Sequence, residues 1–535
     1  MVQIIRPRAR LRRAAATALA MTLLLTGAAC GGSATSPAAG GLKVLVPVQG
    51  ALLDPTQASI QSLGILLLGL EPLQRLRPDG SLRPNLATEV EQPDPRTFVY
   101  TIRSGVRFWD GTPLTADDVV HSFNLHAAKG SKSINASLWA SVSNVAKTGE
   151  DEVTVELAEP DPQFPYVVAQ TGIVSKAFYE KHKGNVGTPA VMNMGTGPYE
   201  FASFKPSSET VLRANPEYWG DKPAHDEVTA RTVGDDSTRL LAVQSGEFDG
   251  IFNVPLNQLR SYAGLEGFEQ AEAPDYAVYK FNFDTSKAPW DDIHLRRAVT
   301  LAINRADLIK GPLGGKATPA PTLVPADVMT TLAATDEVSR LYQRLESDLQ
   351  FDMKVAKQEM ARSSVPDGVS VTVPVTGSDP NLSAIAQTAA QSLAEIGVEL
   401  KIQEVDDNTY YDAVYFKHTT DGFTLDNFGA TSPDPANLPL YCLLSANGLP
   451  DGSGVNIAEY SDPQVDNALQ RSQRLGTEDP KRGALLLDAL ESAAKDIPYV
   501  PIAHPNVYAV GNSKLDLSHF STFWWLTDWT RLGSS

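Results

Sequence analysis

The chain has 535 residues, which is long enough to bury a large core and to form more than one domain. Its apolar content of 42% and charged content of 20% are ordinary for a soluble globular protein. The net charge of −18 argues against a nucleic-acid partner, because phosphate recognition needs clustered Lys and Arg. The chain has only two cysteines, Cys30 and Cys442, and we expect Cys442 to be a buried small hydrophobic residue.

The first 29 residues have the pattern of a secretory signal peptide. Arginines come first, a short apolar run follows over residues 14–25, and small residues precede Cys30. The apolar run is too short for a comfortable membrane span. This segment resembles a bacterial lipobox, although Gly27 stands where leucine is usual, and the resemblance implies that Cys30 is acylated. Plain signal cleavage near Ala29 is the alternative, and residues 30–41 are predicted to form a flexible tether in either case.

Hydrophobic periodicity predicts the elements that follow. A strand is predicted over residues 42–47, a helix over residues 60–70 and a hairpin over residues 76–84. Residues 98–103 alternate as a strand with one face that can be buried. We expect Thr115 to cap the next helix, because acidic residues occupy the following turn, where negative charge is favoured.

Residues 195–199 read Gly-Thr-Gly-Pro-Tyr and are predicted to start a strand from a tight turn. The two glycines are expected there because they permit positive φ. Three further elements are predicted from periodicity: a strand at residues 153–157, a helix at residues 237–245 and a strand at residues 276–283.

The second half of the chain predicts a parallel α/β unit. Residues 368–375 read as a strand, residues 381–396 as a helix that stops at Gly397, and residues 398–402 as a second strand. The order strand–helix–strand predicts a right-handed crossover between two parallel strands.

Residues 96–124 carry the most specific motif, RTFVYTIRSGVRFWDGTPLTADDVVHSFN. Shorter phrases stand in a matching order along the chain: Glu71-Pro72-Leu73, Asn85-Leu86-Ala87, Gly195-Thr196-Gly197-Pro198-Tyr199 and Asn215 with Tyr218-Trp219. Together they resemble the extracellular solute-binding proteins, family 5, of peptide/nickel ABC importers. The main departure in the long motif is Trp109, where the family has histidine.

This resemblance implies an α/β, two-lobed periplasmic-binding-protein-like fold of class II, with crossover strands and an enlarged first lobe. The predicted bounds are residues 1–29 for the signal peptide, 30–41 for the lipid-anchored tether, 42–275 for lobe I with an extra subdomain at about 75–190, 276–500 for lobe II, and 501–535 for the return to lobe I.

The resemblance also implies where ligand binds. The family motif GW..D..DP matches residues 423–435, and an ungapped alignment places Phe428 at the tryptophan and Thr431 at the first aspartate. In dipeptide- and oligopeptide-binding members that aspartate pairs with the ligand's α-ammonium group, and a neutral threonine cannot replace its charge. A gapped alignment would place Asp426 there instead. In the ungapped alignment, Asp426 either reaches the cleft from the preceding strand or is a structural or surface carboxylate, and Phe428 is either a ligand contact or a core residue. The implied ligand-binding residues are Asp426, Phe428, Gly429, Ala430 and Thr431.

Catalytic and metal-binding motifs are missing from the sequence. HExxH, CxxC and GxSxG do not occur, and the eight histidines lack metal-ligand spacing. We therefore expect no catalytic residue, no metal site and no cofactor. An unrecognised hydrolase is the less favoured alternative, because carboxylate separations cannot be read from sequence. The tryptophans 524, 525 and 529 are expected to fill a core rather than stack on ligand.

The predicted function is that of a substrate-binding lipoprotein of an ABC importer. It would capture short peptides or a similar solute between the lobes, and ligand would favour a closed form that delivers it to a permease driven by separate ATPase subunits. We expect a monomer on the outer face of a bacterial membrane, attached through its lipid alone. The alternative is a cell-surface sensor or chaperone-like module on the same scaffold. Opines, sugars, nickel complexes and haem are other cargoes that the family allows.

Overall fold

The architecture comes from a computed structural model that describes residues 41–59, 62–449, 455–477 and 479–531. The predicted signal peptide and Cys30 lie outside the described residues. Within the described ranges, every helix is too short or too polar to span a bilayer.

The described strands are β1 (Leu42–Leu45), β2 (Gln74–Leu76), β3 (Leu82–Pro84), β4 (Ala87–Asp94), β5 (Thr97–Ile102), β6 (Val142–Lys147), β7 (Glu152–Leu157), β8 (Tyr199–Lys205), β9 (Glu209–Ala214), β10 (Glu227–Arg231), β11 (Gly250–Phe252), β12 (Phe268–Pro274), β13 (Ala277–Phe283), β14 (Ala317–Pro319), β15 (Val369–Thr376), β16 (Val398–Val405), β17 (Phe423–Gly429) and β18 (Tyr499–Asn512). The described helices are α1 (Leu63–Gly69), α2 (Ala116–Ala127), α3 (Phe164–Ala169), α4 (Lys176–Lys181), α5 (Asp236–Gln244), α6 (Leu259–Ala263), α7 (Ile293–Ala302), α8 (Arg305–Lys310), α9 (Ala326–Met329), α10 (Thr335–Asp348), α11 (Met353–Arg362), α12 (Pro380–Ala394), α13 (Asp407–Tyr411), α14 (Asn437–Leu443), α15 (Pro463–Gln473) and α16 (Pro480–Asp496).

One large mixed sheet runs through the molecule in the order β17-β13-β18-β11-β1-β10-β9-β8, and β12 and β14 also pair with β18. β1 is parallel to β10 and β11, whereas β13 is antiparallel to β17 and β18. β18 joins two parts of this sheet, because Val500 lies opposite Phe281 of β13 while Val510 lies opposite Ile251 of β11. A single strand therefore connects regions that we predict to be separate lobes, and the predicted lobe bounds stay a prediction.

The second half of the chain contains the predicted parallel unit. β15 and β16 pair in parallel along their whole length, and α12 connects them. Leu382, Ile385, Ala389 and Leu393 lie at helical spacing on α12, and all are buried in the core that includes β13 and β17. Gly397 follows α12 with a positive φ, as expected of a helix stop.

The most specific sequence motif forms a strand, a turn and a capped helix. β5 buries Phe98, Tyr100 and Ile102 in a four-stranded sheet of order β4-β5-β7-β6. The backbone N–H of Thr115 donates to Asp118 at 2.9 Å, and together these residues form a capping box at the start of α2. The predicted helix start at Thr115 is confirmed.

The C-terminal tryptophans pack as predicted. Trp524 and Trp529 are buried, and Trp524 stacks on Phe252 with ring centroids 4.0 Å apart. Trp525 is half-buried against Phe523. Cys442 is buried on α14, which confirms the interpretation as a small core residue.

The glycines of residues 195–199 are required for a different reason from the one expected. β8 begins at Tyr199, so the predicted strand is correct, but neither Gly195 nor Gly197 has a positive φ. A Cβ atom at either residue would overlap a backbone carbonyl oxygen of Leu68 or Gly69 at the end of α1. Close approach of two backbones, rather than left-handed conformation, therefore selects glycine at both positions.

A buried carboxylate lies where the short family-like phrases of the first half of the chain meet. Glu71 is completely buried, and burial raises the pKa of its carboxyl group. Its oxygens meet polar groups from four separate segments: Arg75 at 3.8 Å, Asn85 at 3.4 Å, Thr196 at 2.9 Å, Tyr218 at 2.8 Å and Trp219 at 2.9 Å. These residues therefore form one polar cluster around Glu71, and its hydrogen bonds hold the four segments in position relative to one another.

We predict that Glu71→Ala lowers the free energy of unfolding by about 3–5 kcal/mol, because it leaves the buried Arg75 without its counter-ion and deprives several buried donors of this acceptor. Glu71→Gln should cost less, since its amide oxygen can still accept some of these bonds. Urea denaturation measures the free energy of unfolding of both variants and shows which loses more. Glu89→Ala is an exposed control that should change this free energy by about 0.5 kcal/mol or less. Wild-type stability in Glu71→Ala would contradict the cluster's role.

Candidate functional site

The loop that follows β17 holds Thr431 in a fixed position. The Thr431 backbone N–H donates to Asn437 Oδ1 at 3.0 Å, and Asn437 Nδ2 donates back to the Thr431 hydroxyl at 3.1 Å. Asn437 is the first residue of α14, so these bonds tie the loop to the start of that helix. Asp434 in the same loop forms a buried pair with Arg482 at 2.9 Å and has a structural role there.

This loop contacts the segment around α3, which lies far away in the sequence. Gln170 Nε2 donates to the Thr431 carbonyl oxygen at 3.0 Å, across 261 residues of chain. Ser432 Oγ donates to Gln163 Oε1 at 3.4 Å, and Asn437 Nδ2 donates to the same oxygen. Gln163 and Gln170 flank the two ends of α3, so one short helix presents both amides to the loop.

A cavity of about 210 Å³ lies beside this contact. One wall is formed by Asp161, Gln163, Tyr166 and Gln170 near α3, and the other includes Thr431. The lining also includes Ser432, Tyr441, Asn447 and Gln473. Its walls thus carry both donors and acceptors from distant segments, an arrangement suited to a polar organic ligand.

The other predicted ligand residues of β17 and its loop lie next to Thr431 in different environments. Phe428 is half-buried and packs against Tyr415 and Tyr441, with ring centroids 5.9 and 6.0 Å away. Gly429 is exposed at the end of the β17 ladder. Ala430 is half-buried, and its backbone N–H donates to the Tyr276 carbonyl at 2.7 Å. Their roles in ligand binding stay a prediction.

Asp426 lies in the interior and pairs with a lysine of the adjacent strand. Lys280 Nζ lies 2.8 Å from both carboxylate oxygens, and neither side chain is more than 1% exposed. Asn282 Nδ2 at 2.9 Å and the Tyr415 hydroxyl at 3.0 Å complete the set of donors. These contacts favour the structural interpretation of Asp426, and its predicted role in ligand binding stays untested.

Sequence reasoning missed Asp161, Gln163, Gln170 and Asn437. The only signal near the first of these is a run of prolines at residues 160, 162 and 165, which predicts a loop but no chemistry. Folding brings these side chains to the Thr431 loop, and no local pattern indicates that. Over the described ranges, no group of three or more His, Cys, Asp or Glu side chains is arranged to hold a metal ion.

Comparison with known proteins identifies the class. The family model of the bacterial extracellular solute-binding proteins, family 5 Middle, matches residues 81–448, which is more than half of the chain. The chain therefore belongs to this family of solute-binding proteins. The glutathione-binding protein GsiB of Salmonella typhimurium is 25% identical over 441 residues, covering 81% of this chain and 82% of GsiB.

Solved structures show the same fold. The binding protein DppA from Helicobacter pylori, in complex with the peptide STSA, has a TM-score of 0.77 at 22% identity and covers 92% of this chain and 97% of its own. NikZ from Campylobacter jejuni, in complex with Ni(L-His), has a TM-score of 0.76 at 19% identity and covers 91% and 98%. The predicted family, the two-lobed α/β fold and the solute-binding class are confirmed.

We predict that Lys280→Met lowers the free energy of unfolding by about 3–5 kcal/mol, because the buried Asp426 carboxylate then has no cation. The double variant Lys280→Met/Asp426→Leu should recover much of that loss, since it removes both buried charges. Urea denaturation of the wild type, Lys280→Met, Asp426→Leu and the double variant gives the coupling energy between the two side chains. The exposed Lys310→Met serves as the matched control. Additive losses in the double variant would show that the pair does not act as a unit.

Proposed function

We propose that this protein is the substrate-binding component of a bacterial ABC importer and captures short peptides or a similar small organic solute. The observation that carries the proposal is the cavity beside Thr431, whose walls come from segments on both sides of the predicted cleft. A solute there would contact both sides at once. Such contacts favour a closed form over an open one, which is the basis of a hinge-closing binding protein.

The ligand would lie against the end of β17, with Phe428, Gly429, Ala430 and Thr431 beside it and Asp426 beneath. Relatives support this choice of solute class, because GsiB is named for glutathione and the DppA structure holds a peptide. In this proposal the chain binds and releases solute without transforming it, and the closed monomer delivers it to a permease powered by separate ATPase subunits.

The proposal includes attachment to the outer face of the cell membrane through a lipid on Cys30. The apolar run, the small residues before Cys30 and the tether after it support this attachment. The lipid alone would hold the protein at the membrane, close to its permease.

We predict that gently purified mature protein carries small organic molecules, which native mass spectrometry followed by denaturing release would detect. A ladder of peptide masses is expected for a peptide carrier, and a single non-peptide mass would redirect the assignment to another solute. Thr431→Trp should abolish the bound mass because its larger side chain fills the cavity. Leu241→Trp, at a side chain that is 63% exposed, should retain it. Retention by Thr431→Trp would contradict a site at this cavity.

We predict that Cys30→Ser abolishes incorporation of an alkyne-labelled fatty acid and moves the protein from the membrane fraction to the soluble fraction. Cys442→Ser is the matched control, because it changes the other cysteine of the chain and should leave labelling intact. Click labelling and fractionation of expressing cells measure both results. Labelling of Cys30→Ser would contradict the lipid site.

A further inference from the structure

The cavity beside Thr431 carries a single formal charge. Among the described residues that line it, Asp161 is the only Asp, Glu, Lys, Arg or His. Two charges outside the lining act on Asp161, those of Asp434 and Arg482, and they form a bidentate pair with each other at 2.9 Å. The cavity therefore presents net negative charge to anything that enters it.

Asp161 has neutral hydrogen-bond partners only. The Ser141 hydroxyl donates to Oδ2 at 2.9 Å, and the Gln163 backbone N–H donates to Oδ1 at 3.0 Å. A carboxylate accepts about four hydrogen bonds, so both oxygens keep capacity for further donors. Burial raises the pKa of this carboxyl group, the two hydrogen bonds oppose that rise, and of the nearby charges Asp434 adds to the rise whereas Arg482 opposes it.

A second side chain in the same wall lacks a donor. Gln170 is only 7% exposed, and its Nε2 donates to the carbonyl oxygens of Tyr166 and Thr431. Its Oε1 is buried with no partner among the described residues. A buried acceptor of this kind costs free energy until a donor reaches it.

We propose that Asp161 is the specificity-determining residue of this cavity and pairs with a primary ammonium group of the solute, with Gln170 Oε1 accepting a second N–H. The inference rests on the proposed function and names the end of the solute that the cavity holds. An ammonium group provides three donors and one positive charge, which match a carboxylate and the amide oxygen of a second residue that lines the same cavity.

The size of the cavity agrees with this role. Its volume of about 210 Å³ is below the roughly 300–1,000 Å³ of pockets that enclose a whole drug-sized ligand. It would therefore hold the amino end of a longer solute, and the remainder would extend along the loop after β17. Thr431 faces the same cavity as Asp161, so a charge introduced at Thr431 acts on the same group of the solute.

The test compares two tripeptide mixtures of equal composition, one with free amino termini and one N-acetylated. Native mass spectrometry measures their binding to the mature protein. The wild type should prefer the free amino form by about tenfold or more, and Asp161→Asn should lose most of that preference. Asp161→Asn/Thr431→Asp should regain part of it, because the second change returns a carboxylate to the cavity. Glu89→Gln, which neutralises an exposed carboxylate outside the cavity lining, is the control and should keep the preference.

Thr431→Lys keeps Asp161 and places an ammonium group of the protein in the cavity, so it should weaken binding of the free amino mixture even if Asp161→Asn fails to fold. An unchanged preference in either Asp161→Asn or Thr431→Lys would overturn the inference. Equal binding of both mixtures by the wild type would overturn it while leaving the proposed function intact. Binding of neither mixture would instead reject peptides as the solute, and this inference with them.

Discussion

The carboxylate of Glu71 is the constraint around which the first part of the structure is arranged. A buried negative charge is tolerated only where donors surround it, and here the donors come from segments more than 100 residues apart. The chain must therefore bring the end of α1, the turn before β8 and the Tyr218-Trp219 segment to one point. The backbone of that turn lies so close to the end of α1 that Gly195 and Gly197 cannot carry side chains.

The four short sequence phrases that meet at Glu71 also contribute to the family resemblance, beside the longer motif of residues 96–124, and their contacts here are structural. Local sequence patterns predicted secondary structure correctly where neighbouring residues determine it, as at the Thr115 cap and in the β15-α12-β16 unit. They failed at Gly195 and Gly197, because the neighbour that excludes a side chain there lies at residues 68–69. Packing between distant segments leaves no periodic signal in either one.

The residues of the candidate site show the same difference between what a local sequence pattern can indicate and what only folding brings together. Thr431 was proposed from sequence because it lies within a family motif, whereas Asp161 belongs to a proline-rich loop and Gln170 follows a helix of only six residues. Asp426 is the opposite case. Its position in the motif suggested a ligand-binding role, but the cross-strand register places it opposite Lys280, with which it forms a buried ion pair. The partner that neutralises a buried charge is set by strand register, which requires the pairing of β13 and β17 to be known.

The contact between the α3 segment and the Thr431 loop is suited to opening and closing. Its side-chain hydrogen bonds join amides, hydroxyls and a carbonyl, and each such bond contributes about 0.5–1.5 kcal/mol. Breaking these three hydrogen bonds therefore costs only a few kcal/mol. A solute shifts the proposed equilibrium only by the difference between its affinities for the closed and the open form, and a difference of about 5.5 kcal/mol moves the population from 1:99 to 99:1. The fixed charges, Glu71 and the Lys280–Asp426 pair, are buried within each side, where they do not oppose this motion.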